Sequence, residues 1–468
     1  MKKILFFICL FLLNCSSNSS PTKSTPQAPV VQNINISTLS NTSVEFTLSA
    51  VESENLPLVY SISSQPSNGQ VELNGTNGVY TPDTNFIGID TFAYVANSLN
   101  GQSNIGIVQV TVSRDENNFE MIFSIEDRGI DGIDIVELSD GTIVLLCNAR
   151  SSGGFDNAQA VIIGLNNSYN EIWRKFIGKQ GGSTSLIKIK ESPDGSFFVF
   201  GTSENSFYLL KFTSSGQFLW SQTYGNSDYT QGRDFEILDD GSVVMIGHTN
   251  INGYVQTLII KTDSNGNVLQ ESTYGEDGQN NSRGRGIVKA PDGGYMIANV
   301  KIVGDQNTEL VKISASGETE WAQVYSFDSS KQRDEEPRSI SIDQQGNYYI
   351  AVEFDYSSTQ QKTLLFKVNS QGSLIWNQEF YGHLFFDIEN TTDDFIILTG
   401  ADDSYSISQV FKFNKEGNLI GQKSFGNSAN QNSSRGIIEL NNGNYAIINS
   451  IYANQAFMSL VITNRNLD

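Results

Sequence analysis

The chain has 468 residues, 38% of them hydrophobic, and a formal net charge of -22 at pH 7. This length and apolar content suffice for a large core and favour more than one domain, and the acidic balance without a basic patch argues against a nucleic-acid partner. The sequence contains 41 glycines but only 9 prolines, and Thr, Tyr, Phe, Val and Ile dominate its patterned segments. Such a composition favours short strands joined by glycine turns, so we expect an all-β protein.

Residues 1–14 are typical of an export signal. Two lysines precede an apolar run that is too short to span a membrane. The adjoining "LLNC" resembles the lipobox of bacterial lipoproteins, which implies cleavage before Cys15 and lipidation of that cysteine. Residues 15–27 would then form a flexible tether rich in Ser and Pro. We predict an exported chain that is anchored to the bacterial cell envelope, at the outer membrane, through its lipid alone.

Cys147 is the cysteine that would remain after this processing, because Cys9 leaves with the signal and Cys15 carries the lipid. A lone cysteine forms no internal disulfide. The sequence offers only His248 and His383 as imidazole partners, and neither stands in a recognisable motif with Cys147. We therefore interpret Cys147 as a small buried hydrophobe and not as a nucleophile.

Residues 28–114 alternate between short strands and turns rich in Asn, Gly and Pro. In "VEFTLSAV", for example, Val44, Phe46 and Leu48 point to one side of a strand. This pattern predicts a β-sandwich. The phrase "GVYTPDTNFIGIDTFAYVA" resembles the immunoglobulin-like, cadherin-like modules of secreted bacterial proteins, and the resemblance implies a spacer or adhesion unit.

Modules of this kind sometimes hold calcium between tandem copies, and Asp83 or Asp90 would be the candidate ligands here. The sequence contains a single copy of the module. We therefore interpret Asp90 as a turn cap beside buried Phe92 and Tyr94, and we predict no metal site.

From residue 118 to residue 468 the sequence repeats itself with a period of about fifty residues, which is typical of propellers and related arrays. Each unit contains a tight turn, mostly of the Asp-Gly or Asn-Gly kind that supplies the positive φ of a hairpin. Further strands follow and end in phrases such as "SSGQFLWSQTYG". The seven turns contain Gly141, Gly195, Gly241, Gly293, Gly346, Asp393 and Gly443.

Only six of these units have a fourth strand after their own third strand. The seventh unit ends at "AFMSLVITNRNLD", whereas residues 118–125, "NFEMIFSI", precede the first unit and resemble a fourth strand in their apolar start. Pairing of these two segments in one blade would close a ring and remove its open edges. We predict a seven-bladed β-propeller over residues 118–468, closed by its N- and C-terminal strands.

All four tryptophans occupy the same point of the fourth strand, namely Trp173, Trp220, Trp321 and Trp376. Reuse of one position near the outer edge of each blade predicts packing between neighbouring blades in preference to an aromatic ligand platform. The phrase "DGGYMI…LVKISASGETEWAQVY" resembles repeats of secreted bacterial propellers and, more weakly, the tryptophan repeats of quinoproteins. Seven units instead of eight, and the lack of an adjacent cysteine pair, disfavour a quinoprotein dehydrogenase, so we predict no cofactor.

Four arginines stand eight residues before the turn position of their units. They are Arg233, Arg285, Arg338 and Arg435, with Ile133 and Ile187 at the same place in the first two units. Because the first strand of a propeller blade lines the central channel, these arginines could ring one mouth of the channel and bind an anionic ligand. However, the residues two positions further on are apolar, and equal parity puts each arginine on the core face of its strand. That argument favours arginines held between blades by carbonyl or carboxylate groups.

The sequence contains no phosphate-binding loop, HExxH pair, GxSxG elbow or Cys/His cluster, so we nominate no catalytic residue. We predict a non-catalytic binding module for a protein or glycan of the cell surface or envelope. Two alternatives stay open: a polysaccharide-active propeller enzyme with its site at the channel mouth, and an envelope-assembly scaffold. Analogy at the level of the fold does not decide among them.

Overall fold

The computed structural model describes residues 26–467 except 85, 126–127, 152–153, 179–183, 226–228, 276–280, 304, 328–333, 355–361, 427–429 and 454–455. Every regular element in this part is a β-strand, which confirms the all-β prediction. No helix of a length and apolarity suited to crossing a membrane occurs among these residues. The chain divides into two compact units, one ending at Asp115 and the other beginning at Glu116. The segments for which export and lipidation are predicted, including Cys15, lie outside the described residues.

Ten short strands make up the described part of the N-terminal unit. They are β1 (Val30–Val31), β2 (Ile34–Leu39), β3 (Val44–Thr47), β4 (Ala50–Val51), β5 (Val59–Ser64), β6 (Gly69–Asn74), β7 (Asn77–Pro82), β8 (Gly88–Ser98), β9 (Gly101–Gln102) and β10 (Gly106–Ser113). One sheet has the order β2, β10, β8, β5, with β9 added to β8; a second has the order β3, β7, β6; and β1 pairs with β4.

The N-terminal unit has a single apolar core. Phe46, Tyr80, Phe92 and Tyr94 are buried there, together with alternate residues of β10. The alternation of buried and exposed side chains is what a strand shows when only one of its faces packs on a core. These strands are thus arranged as the period-two pattern of the sequence predicts.

The described part of the C-terminal unit contains seven four-stranded antiparallel sheets. Sheet 1 consists of β12 (Arg128–Glu137), β13 (Ile143–Ser151), β14 (Gly154–Leu165) and β15 (Glu171–Ile177). Sheet 2 consists of β16 (Thr184–Glu191), β17 (Phe197–Ser203), β18 (Ser206–Phe212) and β19 (Phe218–Tyr224). Sheet 3 consists of β20 (Thr230–Ile237), β21 (Val243–Ile251), β22 (Tyr254–Thr262) and β23 (Val268–Tyr274). Sheet 4 consists of β24 (Asn281–Lys289), β25 (Tyr295–Val303), β26 (Asp305–Ile313) and β27 (Thr319–Tyr325).

The remaining sheets follow the same plan until the end of the chain. Sheet 5 consists of β28 (Glu335–Ile342), β29 (Tyr348–Phe354), β30 (Lys362–Val368) and β31 (Leu374–Tyr381). Sheet 6 consists of β32 (His383–Asn390), β33 (Ile396–Asp402), β34 (Ser408–Phe413) and β35 (Leu419–Phe425). Sheet 7 combines β36 (Gln431–Glu439), β37 (Tyr445–Tyr452) and β38 (Ala456–Thr463) with β11 (Phe119–Phe123).

The outer strand of sheet 7, β11, therefore comes from far upstream in the sequence. β11 pairs antiparallel with β38, with Phe119 opposite Ile462 and Phe123 opposite Met458. In sheets 1–6 all four strands follow one another along the chain. The segment that the sequence offers as the missing fourth strand of the last unit thus occupies that place.

The first strands of the seven sheets are neighbours of one another. β12 lies against β16, β16 against β20, β20 against β24, β24 against β28, β28 against β32, β32 against β36, and β36 against β12. The apolar clusters follow the same pattern, because side chains from two adjacent sheets share each core; sheets 7 and 1, for example, share the cluster that contains Phe119, Ile130 and Leu460. Four-stranded antiparallel sheets packed in this way are the kind of unit that forms the blades of propellers.

The tryptophans of the fourth strands pack against the following sheet. A Cβ atom on Gly216 of sheet 2 would lie only 2.7 Å from Trp173 of sheet 1, and one on Gly372 of sheet 5 would lie 2.8 Å from Trp321 of sheet 4. The rings thus rest on turn glycines, where no side chain intervenes. This confirms that these residues pack between neighbouring sheets, and it explains why the repeats pair an aromatic residue with a glycine turn.

Buried lysines recur opposite these tryptophans on the third strands. Lys211 lies across from Trp220, and its Nζ is 2.8 Å from Asp194 in the first turn of the same sheet. Lys312 has the same relation to Trp321 and lies 2.8 Å from Asp292. Because a buried ammonium requires a charged or polar partner, each lysine ties its turn to the sheet interior.

Cys147 of β13 is fully buried in the cluster shared by sheets 1 and 7. Its Sγ lies 3.0 Å from the sulfur of Met458. Burial raises the pKa of the Cys147 thiol, so the reactive thiolate is disfavoured. This environment agrees with the interpretation of Cys147 as a core residue.

Candidate functional site

The first strand of every sheet in the C-terminal unit carries a β-bulge at one equivalent position. The cross-strand register skips one residue there, namely Ile133, Ile187, Arg233, Arg285, Arg338, Phe386 and Arg435 in sheets 1 to 7. A bulge takes one residue out of the regular alternation and redirects its side chain. The four arginines singled out in the sequence are thus bulge residues.

All seven bulge residues line one cavity of about 490 Å³, which we call the bulge pocket. Asn148, Lys188 and Tyr452 also line it. The structure therefore brings the four arginines together, although they come from four different sheets. A cavity of this volume is within the usual range for a small-molecule site.

The parity argument from the sequence is wrong at these positions. The residues two places beyond the arginines, Phe235, Ile287, Ile340 and Ile437, are buried in apolar clusters. The arginines line the pocket instead. Because each arginine is itself the extra residue of its bulge, it does not share a face of the strand with the residue two positions further on.

Carboxylates nevertheless hold two of the arginines, as the between-blade interpretation expects. Arg285 of β24 forms an ion pair with Glu336 of β28, in the next sheet. Arg338 places its Nε 2.6 Å from Oε2 of Glu353 and its Nη2 3.6 Å from Oε2 of Glu336. These pairs fix the two guanidinium groups while both residues remain part of the pocket wall.

The other two arginines have fewer partners. Arg233 donates from Nη2 to Oε1 of Gln231 at 2.8 Å, and its buried Nε has no acceptor among the described residues. The guanidinium of Arg435 lies 4.5 Å from the centre of the Phe386 ring. Such stacking orients the planar guanidinium and leaves its N–H edge available for an anion.

Phe386 is the bulge residue of sheet 6 that sequence reasoning missed. The repeat predicts Asp393 as the sixth turn position. In the structure it is Asp394 that has a positive φ, 69°, like the glycines of the other turns. Counting back eight residues from Asp394 leads to Phe386. Because this turn contains no glycine, the sequence does not show whether Asp393 or Asp394 occupies the position of the turn glycine.

A charged cluster lies beside the bulge residues. Lys188 of β16 places its Nζ 3.5 Å from Oδ1 of Asp134 on β12 and 3.6 Å from Oδ1 of Asp387 on β32. Burial raises the pKa of Asp134 to about 6 even though the Lys188 ammonium opposes the shift. Burial also opposes the charged form of Lys188, but Asp134 and Asp387 raise its pKa well above the ordinary value. Lys188 is therefore a cation whose charge is already compensated.

The carboxylates of this cluster also join neighbouring first strands. Asp134 accepts a hydrogen bond from the backbone N–H of Ile189 at 2.9 Å, and Asp387 accepts one from Ile437 at 3.2 Å. Asp234 repeats the arrangement with Ile287 at 2.9 Å. Because these oxygens accept backbone hydrogen bonds, the three carboxylates stabilise the contacts between sheets.

The arginines raise the positive potential on their side of the pocket. Burial, together with Arg233, Arg338 and Arg283, lowers the pKa of Arg285 to about 9. Burial and the same cluster of arginines lower the pKa of His248 to about 3, so His248 is neutral at pH 7. Arg283 was not singled out in the sequence because it stands outside the repeated position. Such mutual repulsion is relieved when an anion binds.

In the N-terminal unit, Asp90 has the geometry of a turn cap. Its carboxylate accepts hydrogen bonds from the backbone of Ser67 at 3.1 Å and of Asn68 at 2.9 Å, and from the hydroxyl of Tyr80 at 3.0 Å. These donors agree with the interpretation of Asp90 as a capping residue. Across the described ranges, no group of three or more His, Cys, Asp or Glu side chains is arranged to hold a metal ion.

Comparison with known proteins finds a domain family that matches the N-terminal unit. Residues 26–111 match the family model described as bacterial Ig domain. The N-terminal unit carries an Ig-like domain. The match confirms the immunoglobulin-like resemblance seen in the sequence, and it ends before the first sheet of the C-terminal unit. No curated protein matches the chain.

Several solved structures show a distant likeness to this chain. A protein of unknown function from Dyadobacter fermentans is 10% identical, covers 74% of this chain and 98% of its own, and has a TM-score of 0.45. A Lactobacillus plantarum protein is 9% identical with coverage of 70% and 89% and a TM-score of 0.46. The β-propeller domain of the trilobed protease from Pyrococcus furiosus is 11% identical with coverage of 62% and 97% and a TM-score of 0.32. Likeness at this level establishes no function.

Proposed function

We propose that the C-terminal unit is a closed seven-bladed β-propeller that acts as a non-catalytic binding module, with the bulge pocket at one mouth of its central channel. Three observations support the closed ring. β36 of the last sheet lies against β12 of the first, and the upstream strand β11 completes sheet 7. Lys188 of sheet 2 also reaches Asp387 of sheet 6, which is the contact expected across a narrow channel.

The ligand we propose is an anionic group of a protein or glycan partner. The observation that carries this proposal is the convergence of Arg233, Arg285, Arg338 and Arg435 on one cavity through equivalent bulges. Only two carboxylates, on Glu336 and Glu353, form ion pairs with these arginines among the described residues. Asp131, Asp234 and Asp387 also line the pocket. Guanidinium groups bind carboxylates and phosphates through paired hydrogen bonds, so Arg233 and Arg435, which form no ion pair with a described carboxylate, favour an anion.

A binding assay with matched variants tests this function. An array of acidic and neutral glycans and of acidic and neutral peptides is probed with the purified protein and with the double variant Arg233→Gln/Arg435→Gln. We chose these two arginines because neither forms an ion pair with a described carboxylate. Arg174→Gln is the control, since Arg174 pairs with Glu171 on an outer strand away from the pocket.

The expected result is binding of acidic ligands that the double variant loses and the control retains, with unchanged melting temperatures. Equal binding of neutral and acidic ligands, or full binding by the double variant, would contradict the proposal. Product analysis of each bound glycan provides a further criterion. Turnover would show that the pocket belongs to a polysaccharide-active enzyme.

We also propose that the chain is exported and anchored to the outer membrane through lipid on Cys15. The support is the sequence of residues 1–27, with its short apolar run, its lipobox-like phrase and its polar tether. Mass spectrometry of the N-terminal peptide from bacterial membranes tests this: the peptide should begin at Cys15 and carry acyl chains. Recovery of an unmodified N-terminus in the membrane fraction would contradict the proposal.

A further inference from the structure

The bulge residues of the pocket differ in chemistry. Those of sheets 3, 4, 5 and 7 are arginines, whereas those of sheets 1 and 2, which lie between sheets 7 and 3, are Ile133 and Ile187. Asp131, Asp387 and Lys188 also line the pocket. From this asymmetry we infer that the ligand is an organic carboxylate whose apolar body lies on Ile133 and Ile187 while its anionic group binds the arginines. This inference rests on the proposed anion-binding function and specifies the chemistry of its ligand.

Arg233 and Arg435 supply the anionic contact. Nε of Arg233 is buried without an acceptor in the described part of the chain. Arg435 is exposed and is stacked on Phe386, and no hydrogen bond joins its guanidinium to a described acceptor. A carboxylate has two coplanar oxygens, which match the planar edge of a guanidinium better than a spherical ion does. Arg285 and Arg338 are already paired with Glu336 and Glu353.

The apolar contact comes from the isoleucines. Ile133 and Ile187 are both partly exposed and line the pocket, and Ile133 also packs against the apolar cluster shared by sheets 1 and 2. Ile135 and Leu186 of the same strands are buried. The ring of Phe386 contributes less free surface, because Arg435 covers one of its faces. Apolar surface at a pocket wall favours a ligand that removes it from water.

The dimensions of the pocket limit the size of the ligand. Its volume of about 490 Å³ suits a small molecule, or the end of a chain, that buries most of its surface. Two sources share this chemistry: a free carboxylate metabolite, and a carboxylate that terminates a larger partner. Both present one anionic head next to an apolar body.

Calorimetry with four simple probes tests the inference on the full chain. The probes are sodium hexanoate, sodium acetate, hexylammonium chloride and inorganic phosphate. We expect hexanoate to bind at least about 10-fold more tightly than acetate, because its four additional carbons contact the isoleucines. Hexylammonium should not bind. An N-hexanoyl peptide with an amidated C-terminus has no terminal carboxylate, whereas a peptide that ends in an aliphatic residue with a free carboxylate does. Binding of the second peptide alone points to a partner's terminus, and failure of both peptides to bind while hexanoate binds points to a free metabolite.

Variants separate the apolar contact from the anionic one. The double variant Ile133→Thr/Ile187→Thr should reduce the preference for hexanoate over acetate to about 2-fold or less and leave the acetate affinity unchanged. Ile172→Thr on an exposed outer strand is the matched control and should retain the full preference. Equal affinity for acetate and hexanoate, or tighter binding of inorganic phosphate than of hexanoate, would overturn the inference but not the anion-binding function. Failure of every anion to bind would overturn both.

Discussion

The ammonium of Lys188 on β16 lies 3.6 Å from the carboxylate of Asp387 on β32. Three sheets separate these two strands in sequence order, so the contact joins parts of the fold that no local interaction brings together. Asp134 lies on the other side of the same ammonium, at 3.5 Å. Lys188 is thus a cation that holds two buried carboxylates near each other.

Replacement of Lys188 by Met should destabilise the protein by roughly 3 kcal/mol, because two carboxylates would remain buried without a counter-charge. The double variant Lys188→Met/Asp387→Asn should recover at least half of this loss, since one of the two uncompensated charges is removed as well. Urea denaturation of the single and double variants measures both free energies of unfolding. If the double variant is no more stable than the single one, Lys188 does not interact with Asp387 in solution.

Gly266 should tolerate alanine much less well than Gly253. Both glycines have positive φ, 84° and 88° respectively, which costs an alanine about 1 kcal/mol. A Cβ on Gly266 would also lie 2.8 Å from Trp220, whereas nothing lies within 4 Å of a Cβ on Gly253. We expect Gly266→Ala to lose about 2 kcal/mol more than Gly253→Ala. Equal losses in thermal denaturation would show that Trp220 does not pack on this turn.

The contribution of His248 to stability should fall as the pH drops below about 6.5, because His248 is buried in its neutral form. Its pKa in the folded protein is lowered to about 3 by burial and by nearby arginines, so the unfolded chain binds a proton more readily between these values. His248 should therefore lower the free energy of unfolding by about 2 kcal/mol when the pH falls from 6.5 to 5. The measurement compares the free energy of unfolding of the parent with that of His248→Gln as a function of pH.

His383→Gln is the control for that measurement, because it removes the other histidine of the chain and keeps His248. This variant should retain the pH dependence of the parent, whereas His248→Gln should lack the loss of about 2 kcal/mol that His248 causes between pH 6.5 and pH 5. The same slope in the parent and in His248→Gln would show that His248 is not buried as a neutral group.

Phe119 should contribute strongly to the stability of the C-terminal unit, although its strand β11 is far in sequence from its partner strand β38. It is 9% exposed and its ring lies 4.9 Å from that of Tyr169 in sheet 1. Phe119→Ala should cost about 3 kcal/mol. Ile122→Ala on the same strand should cost less than about 0.5 kcal/mol, because Ile122 is 65% exposed. Similar losses in both variants would argue against the pairing of β11 with β38 and so against the closed ring.

Much of the fold follows from local patterns in the sequence. The turn glycines such as Gly241 and Gly293 mark the hairpins, and they have the positive φ that their Asp-Gly context predicts. The equivalence of Arg285 and Arg338 also follows from the repeat. These features depend on residues close in sequence, whose preferences act within a few positions.

The direction of the arginine side chains depended on tertiary structure. Regular alternation would place Arg285 and Ile287 on one face, but Arg285 is the extra residue of a bulge between Gly284 and Gly286 and lies outside that alternation. Bulges arise from how one strand aligns with its partner, so counting within a single strand does not reveal them. The offset at Phe386 is of the same kind, because it became visible only from the backbone of Asp394.

The sequence by itself determined that this protein consists of a sandwich of short strands followed by repeated four-stranded units, because period-two alternation and glycine turns are local properties of the chain. Tertiary structure alone decided that seven bulge residues meet in one pocket, and that Lys188 contacts Asp134 and Asp387. These relationships join residues from different sheets. Their geometry depends on how the sheets pack, and no spacing within one repeat encodes it.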